Sequence, residues 1–236
     1  MVDNLLPLRV DDLVVSRRGK RLLGPVSHTF APQGLTLVIG PNGAGKTTFL
    51  KALHGIERIS GGTLTWNTPP EDARQRQSYV FQSPTMLRRS VRDNLAYPLW
   101  VAGVDKALIR TRCDRWGARI NLSDAMDRPA PLLSGGERQK LAIARALISD
   151  PDVLFLDEPC ANLDGQATAD IERMLTETQA TGTRVIMTSH NLGQIRRLAT
   201  DFLFVLSGHI HEVGPAAQLH TPATPELAAF LQGDLL

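Results

Sequence analysis

Apolar positions along the 236-residue chain change period several times, and each change predicts an element. Short β-type runs occupy 8–10, 13–15, 26–30 and 35–39, separated by turn signals at Arg18-Gly19-Lys20 and Ala31-Pro32-Gln33-Gly34. Thr48-Phe49-Leu50-Lys51-Ala52-Leu53 then places apolar residues three or four apart, the spacing of a helix. Gly61-Gly62 turns the chain into a strand at 63–66. The polar, proline-containing stretch 67–76 predicts a loop, and 78–81 a buried strand ending at Gln82. From 90 to 124 the period is helical, with Leu95, Leu99, Ala102, Leu108, Ile109 and Trp116 among many charges, and Pro129-Ala130-Pro131 closes this part. A new helix starts at Ser134, where Glu137 three residues on completes a capping box and Leu141, Ala144 and Ile148 form an apolar stripe. Asp150-Pro151 stops it. The remainder alternates: strand 153–156, helix 167–178, strand 184–189, helix 191–199, strand 202–206, a turn at Ser207-Gly208-His209, and a weakly helical tail from His220.

Strands alternating with helices predict an α/β fold around a parallel sheet. The strand-rich start predicts an antiparallel β part, and the helical stretch an inserted subdomain. The expected organisation is one domain: a catalytic α/β core over about 1–84 and 150–236, with a helical subdomain over about 85–149. Composition fits, at 42% hydrophobic and 21% charged. A net charge of +2 is too small to argue for a nucleic-acid partner, and none is expected. The local groups Arg17, Arg18, Lys20, Arg21 and Arg88, Arg89, Arg92 are of the kind found on solvated faces. Cys113 and Cys160 lie far apart without metal-ligand spacing, as in a reducing compartment. Asp3, Arg9, Asp11 and Asp12 interrupt any signal-peptide core, and no apolar run approaches the ~20 residues of a membrane span. The chain is therefore expected to be cytoplasmic, and any membrane it serves would be spanned by another chain.

The chemistry centres on Gly40-Pro41-Asn42-Gly43-Ala44-Gly45-Lys46-Thr47-Thr48, between the strand at 35–39 and a helix start. Strand, glycine-rich turn and helix N-terminus are the context of a phosphate-binding loop: glycines let backbone N–H groups face an anion, and the helix dipole adds to that field. Lys46 suits the β- and γ-phosphates of a nucleotide, and the Thr47 hydroxyl suits Mg²⁺. Val153-Leu154-Phe155-Leu156-Asp157-Glu158 delivers two carboxylates at a strand end, Asp157 suited to holding Mg²⁺ from behind its direct ligands and Glu158 to polarising a water. Gln82, also at a strand end, can touch both metal and water. His190 follows another strand, where a neutral imidazole could reach a γ-phosphate. Two glycines, Gly135 and Gly136, in the first turn of the helix capped by Ser134 are poor for stability, but they suit a backbone that approaches an anion closely. Ala161-Asn162-Leu163-Asp164 is a short polar segment after Glu158-Pro159.

These six elements, in this order, resemble the ATP-binding cassette family: Walker A at 40–48, Q-loop at Gln82, signature Leu133-Ser134-Gly135-Gly136-Glu137, Walker B at 153–158, D-loop at 161–164 and switch histidine His190. The resemblance covers nearly the whole chain. It implies a P-loop NTPase with a RecA-like sheet, ATP and Mg²⁺ as cofactors, and catalysis by Glu158, His190 and Gln82. ATP contacts would come from 40–48, Asp157, Asp164 and the segment 134–137, and Thr47 and Gln82 would contact the metal. It further implies a head-to-tail homodimer in which one subunit's P-loop and the other's signature enclose each ATP, and permease subunits that keep the ATPase on the inner face of the membrane, with a substrate-binding protein in the complex. One departure concerns the base. Val15-Ser16-Arg17-Arg18-Gly19 lacks the aromatic that stacks on adenine in many members, leaving an arginine plane as a substitute.

Among functions of this family, a transporter subunit fits better than a repair ATPase, since no long coiled coil separates the two halves, or a translation factor with two cassettes. A P-loop kinase does not suit the signature and D-loop. Absence of a Gly-Glu-Arg-Gly run before the signature, in Ala125-Met126-Asp127-Arg128-Pro129-Ala130-Pro131, tilts toward import. Ser83-Pro84-Thr85-Met86-Leu87-Arg88-Arg89 is expected to expose Met and Leu between arginines to a permease helix. Arg92-Asp93-Asn94-Leu95-Ala96-Tyr97, Ser189-His190-Asn191 and the tail 224–233 resemble importers of tetrahedral oxyanions, tungstate above all and phosphate more distantly; amino acids and metal chelates remain alternative cargoes.

Overall fold

The computed structural model describes residues 5–233, and of Leu192 only the backbone. The first layer is an antiparallel sheet of β1 (Leu8–Arg17), β2 (Lys20–Phe30) and β4 (Gly61–Thr65), in the order β2-β1-β4. The second is a six-stranded sheet built on β3 (Leu35–Ile39), with β5 (Gln77–Val80), β6 (Val153–Leu156), β7 (Arg184–Thr188), β8 (Asp201–Leu206) and β9 (His209–Pro215). Its order is β5-β6-β7-β3-β8-β9, parallel throughout except for the β8–β9 hairpin.

β3, β6 and β7 are buried at every position, as expected of parallel strands covered on both faces. Alternate residues serve two cores. Leu35, Leu37, Leu154, Leu156, Val185 and Met187 join one apolar cluster with Leu95, Trp116, Leu141 and Phe230. Val38, Phe155, Ile186 and Leu203 join another with Phe30 and Phe49, between the two sheets. α1 (Lys46–His54) packs into that second cluster through Phe49, Leu50 and Leu53. The helical insertion comprises α3 (Val91–Val101), α4 (Lys106–Arg119) and α5 (Gly135–Leu147), and its apolar faces are continuous with the first cluster. After it come α6 (Gly165–Ala180), α7 (Leu192–Leu198) and α8 (Pro225–Gln232).

Several elements differ from expectation: the runs 8–10 and 13–15 form one strand, β1, whose pairing with β2 shifts register between Val10 and Leu13, and β2 begins at Lys20 rather than at 26. Residues 67–76 are not all loop: α2 (Pro70–Gln75) forms there. Its proline lies in the first turn, where no N–H is needed, and Glu71 and Asp72 favour the positive helix end. β9 follows the Ser207-Gly208 turn, whose positive φ angles of 50° and 81° suit a two-residue hairpin.

At the N-terminal ends of the central strands, opposite the P-loop, Arg184 is 1% exposed. Its guanidinium donates to the Gln33 carbonyl and to Thr36 Oγ1, and reaches the Asp201 carboxylate at 3.1 and 3.2 Å. Burial holds its pKa below the usual arginine value, against the pull of Asp201.

Candidate functional site

The loop between β3 and α1 is shaped by close approach. Gly40 has φ 145°, and a Cβ there would sit 2.0 Å from the Val205 carbonyl oxygen. Gly45, at φ 106°, precedes α1 and offers no side-chain cap, so the first-turn N–H groups of α1 remain open to an anion. The loop is braced from behind: Gly208 N–H donates to Ala44 O at 2.9 Å, and Gly24 N–H donates to Gly208 O at 2.7 Å. Lys46 is 6% exposed, and its Nζ donates to Gly40 O (2.8 Å) and Pro41 O (3.0 Å). Burial lowers its pKa, while the nearby Glu158 and Asp157 carboxylates oppose that shift.

The C-terminal end of β6 brings Asp157 and Glu158 to the same place, at the edge where parallel sheets gather their ligands. Asp157 Oδ1 accepts from Thr47 Oγ1 at 2.9 Å and from Thr188 Oγ1 at 2.9 Å. Asp157 Oδ2 faces the Tyr79 hydroxyl at 3.4 Å. Burial, with Asp157 beside it, raises the Tyr79 pKa, so the phenol stays a donor. Glu158 stands in the left-handed region at φ 46°, and its N–H donates to Thr188 Oγ1 at 2.8 Å. Its carboxylate accepts from Gln82 Nε2 at 3.2 Å and lies 3.3 Å from His190 Nδ1. His190 is held near it because Ser189 Oγ, one residue earlier, donates to the buried Gln194 Oε1 at 2.7 Å.

A cleft of about 320 Å³ lies over these groups, lined by Asn42, Gly43, Gly45, Lys46, Thr47, Thr48, Gln82 and Glu158, with Leu22 as its apolar wall. The donors around Asp157 are a hydroxyl, a carboxylate and an amide, all offering oxygen, the hard set that suits Mg²⁺ alongside phosphate. Among the described residues no group of three or more His, Cys, Asp and Glu could hold a metal by itself.

The structure thus brings together the P-loop, Asp157, Glu158, Gln82 and His190. It does not place residues 134–137 or Asp164 in that cleft. Gly135 lines a separate space of about 460 Å³ with Arg138, Gln139, Ala161 and Asn162, shared with the P-loop cleft only through Gln82. Ser134 and Glu137 satisfy each other: Glu137 Oε2 accepts from Ser134 N–H at 2.7 Å, and Ser134 Oγ from Glu137 N–H at 3.3 Å. Those bonds hold the Glu137 carboxyl below its usual pKa. Gly136 has a packing reason of its own, since a Cβ there would come within 2.8 Å of Ala167 Cβ. Asp164 caps α6, accepting from Ala167 N–H at 2.7 Å.

Three groups at the site were not singled out from sequence: Thr188, Tyr79 and Leu22. Their residue types carry no signal alone, and only the strand order places them. Of the arginines offered as base-stacking substitutes, Arg17 is tied to Glu57 at 2.7 Å. Met86 and Leu87, expected to be exposed, are half-buried, and Met86 packs against the main apolar cluster. Their loop is tethered through Asn94, which accepts from Leu87 N–H at 3.0 Å, and through Arg145, which donates to Thr85 O at 2.8 Å. The exposed apolar residues nearby in sequence are Phe81, Tyr97, Trp100 and Val101.

Comparison with known proteins follows the same outline. A family model described as ABC transporter matches residues 23–161. The tungstate uptake system ATP-binding protein TupC of Peptoclostridium acidaminophilum is 34% identical over 88% of this chain and 98% of its own length. The phosphate import ATP-binding protein PstB of Salinibacter ruber is 33% identical over 96% of this chain and 97% of its own. The molybdenum import ATP-binding protein ModC of Rhodobacter capsulatus is 35% identical over 85% of this chain, which spans 59% of that longer protein. Among solved structures, cbiO1 of Clostridium perfringens, described as part of the ABC transporter complex cbiONQ, superposes with a TM-score of 0.82 at 25% identity, covering 93% of this chain and 92% of that one.

Proposed function

Because the chain belongs to the ABC transporter family and is an ATPase of that family, we propose that it energises a membrane importer by closing and opening as a head-to-tail pair around ATP. The observation that carries this reading is the division of the site. The P-loop, Gln82 and Glu158 line one cleft, with Asp157 bonded to Thr47 and His190 beside Glu158, while the signature segment faces another and has its hydrogen bonds met within its own helix. A second copy, turned head to tail, would bring its 134–137 segment and Asp164 over the first copy's nucleotide.

Residues 40–48 would cradle the phosphates, with Lys46 leaving the Gly40 and Pro41 carbonyls to meet the β- and γ-phosphates. Thr47, Gln82 and Asp157 would hold Mg²⁺, which neutralises charge on the phosphates when bound. Glu158 would take the proton from the attacking water, and His190 would donate a hydrogen bond toward the γ-phosphate. Lys46→Ala is expected to weaken ATP binding by about tenfold or more, because a buried charge aimed at phosphate is lost. Titration with a fluorescent ATP analogue checks this, and unchanged affinity would remove Lys46 from the phosphate site.

Among the described residues no helix is long and apolar enough to cross a membrane, so permease subunits would do the spanning and hold this chain at the membrane's inner face. The loop 83–89 and the exposed Phe81, Tyr97 and Trp100 offer the partly apolar, partly basic surface such a partner needs. The cargo we assign is an oxyanion of the tungstate type, delivered through a substrate-binding protein. Support comes from the resemblances at 92–97, 189–191 and 224–233 and from the tungstate, molybdenum and phosphate import relatives. A methionine importer subunit at 34% identity keeps amino acids as the second reading. Deletion of the gene is expected to lower uptake of tungstate more than of phosphate or methionine; unchanged tungstate uptake would overturn the oxyanion assignment and leave the ATPase intact.

A further inference from the structure

We propose that Thr188 is a positioning residue for the hydrolytic step, tying both acids beyond the β6 end to the strand that leads to His190. Its hydroxyl stands between the two acids. It donates to Asp157 Oδ1 (2.9 Å) and accepts from the N–H of Glu158 (2.8 Å), so both hydrogen-bonding capacities of one oxygen are used on consecutive residues. Thr188 is fully buried and ends β7, paired in register with Val38 of β3. β7 lies directly between β6, which carries the acids, and β3, which leads into the P-loop.

The second bond has a specific consequence for Glu158. A glutamate at φ 46° sits in a region that L-residues other than Asn and Asp seldom enter, and such a conformation persists only where its surroundings hold it. The Thr188 hydroxyl holds it by capturing the amide. That fixes the backbone from which the carboxylate reaches Gln82 at 3.2 Å and His190 at 3.3 Å. With the hydroxyl removed, the amide would lose its acceptor, the left-handed turn would lose its tether, and the carboxylate would wander from the place where a water must be met. Asp157 would keep Thr47 as a partner at 2.9 Å, so nucleotide binding should be spared. The effect should fall on turnover.

The proposal rests on the reading of Glu158 as the group that takes the proton from water, and the test separates the two. ATP turnover, ATP affinity and thermal midpoint are measured for Thr188→Val, Thr188→Ser, Glu158→Gln and the double variant Thr188→Val with Glu158→Gln. Thr188→Val is expected to lower kcat about ten- to hundredfold, the usual effect of misplacing a reacting group, with ATP affinity within about twofold. Thr188→Ser, which keeps the hydroxyl, should restore kcat to within about threefold of the parent. In the Glu158→Gln background Thr188→Val should add nothing, because both changes remove one function. If Thr188→Val folds poorly, the same split between kcat and affinity is read on Thr188→Ala. Parental kcat in Thr188→Val, equal loss in Thr188→Ser, or an additive loss in the double variant would each overturn the proposal. Parental turnover in Glu158→Gln alone would instead overturn the assignment of Glu158 on which it stands.

Discussion

Replacing Glu158 by glutamine is expected to cut ATP turnover about a thousandfold, within the range that removal of a general base commands, while leaving ATP binding intact. The exchange is nearly isosteric, and Glu158 makes no contact on which the P-loop depends. Its carboxylate accepts from Gln82 and faces His190, contacts an amide oxygen could keep in part. What the amide cannot do is accept a proton at neutral pH. The bound nucleotide would then persist, and the closed pair of subunits should accumulate. Steady-state phosphate release, together with size-exclusion chromatography in ATP and Mg²⁺, reads both consequences. Turnover near the parental rate would show that another group activates the water.

Arg184→Met is expected to lower stability by about 3 kcal/mol, the lower end of the cost of breaking a buried ion pair, which for a chain of this size shifts the melting midpoint by about 10 °C. The methionine fills much of the volume, so the loss would come from polar groups rather than from a cavity. Thr36 would lose its donor, the Gln33 carbonyl would lose this partner, and Asp201 would remain at the edge of the core with the Thr36 and Thr200 hydroxyls but without its guanidinium. Asp201 is about one-third exposed, and water can reach it, which keeps the estimate at the lower end. The cluster lies at the opposite end of the sheet from the P-loop, so ATP turnover per folded molecule at 25 °C should be unchanged. Scanning calorimetry beside an activity assay separates the two; a variant with parental stability would mean that the ion pair offsets only its own desolvation.

Much of this architecture was legible because burial on both faces writes itself into β3, β6 and β7 as continuous apolar runs, and because the P-loop needs glycines at fixed places. The α2 helix was not legible: of its six residues only Ala73 enters the core, too few for a helical stripe, and its proline signals a break unless it is known to stand in the first turn. β9 was missed for a different reason. Its burial pattern is mostly exposed or intermediate, so hydrogen bonding to β8 rather than an apolar face defines it. The site divides in the same way. Lys46, Asp157 and Glu158 announce themselves by residue type and spacing. Thr188 and Tyr79 do not, because a threonine or tyrosine in a strand is ordinary until the sheet order sets β5 and β7 on either side of β6. That the signature segment occupies a different cleft could come only from a resemblance or from coordinates.

The bracing behind the P-loop bears on the thermodynamics of nucleotide capture. The main chain at Ala44 is tied to Gly208, Gly208 to Gly24, and Gly40 lies against the Val205 carbonyl, so the loop's outer side is fixed by two hairpins before any nucleotide arrives. Its conformational entropy was surrendered during folding. On the proposed reading ATP would meet a preformed cradle, and binding would order little beyond the Lys46 head group and the loop that begins at Gln82. On that same reading, free energy that a floppy loop would consume in becoming ordered would be left to draw a second subunit onto the nucleotide. A glycine-rich turn, the most flexible kind of backbone in an unfolded chain, is here bonded at Ala44 and pressed against Val205 at Gly40.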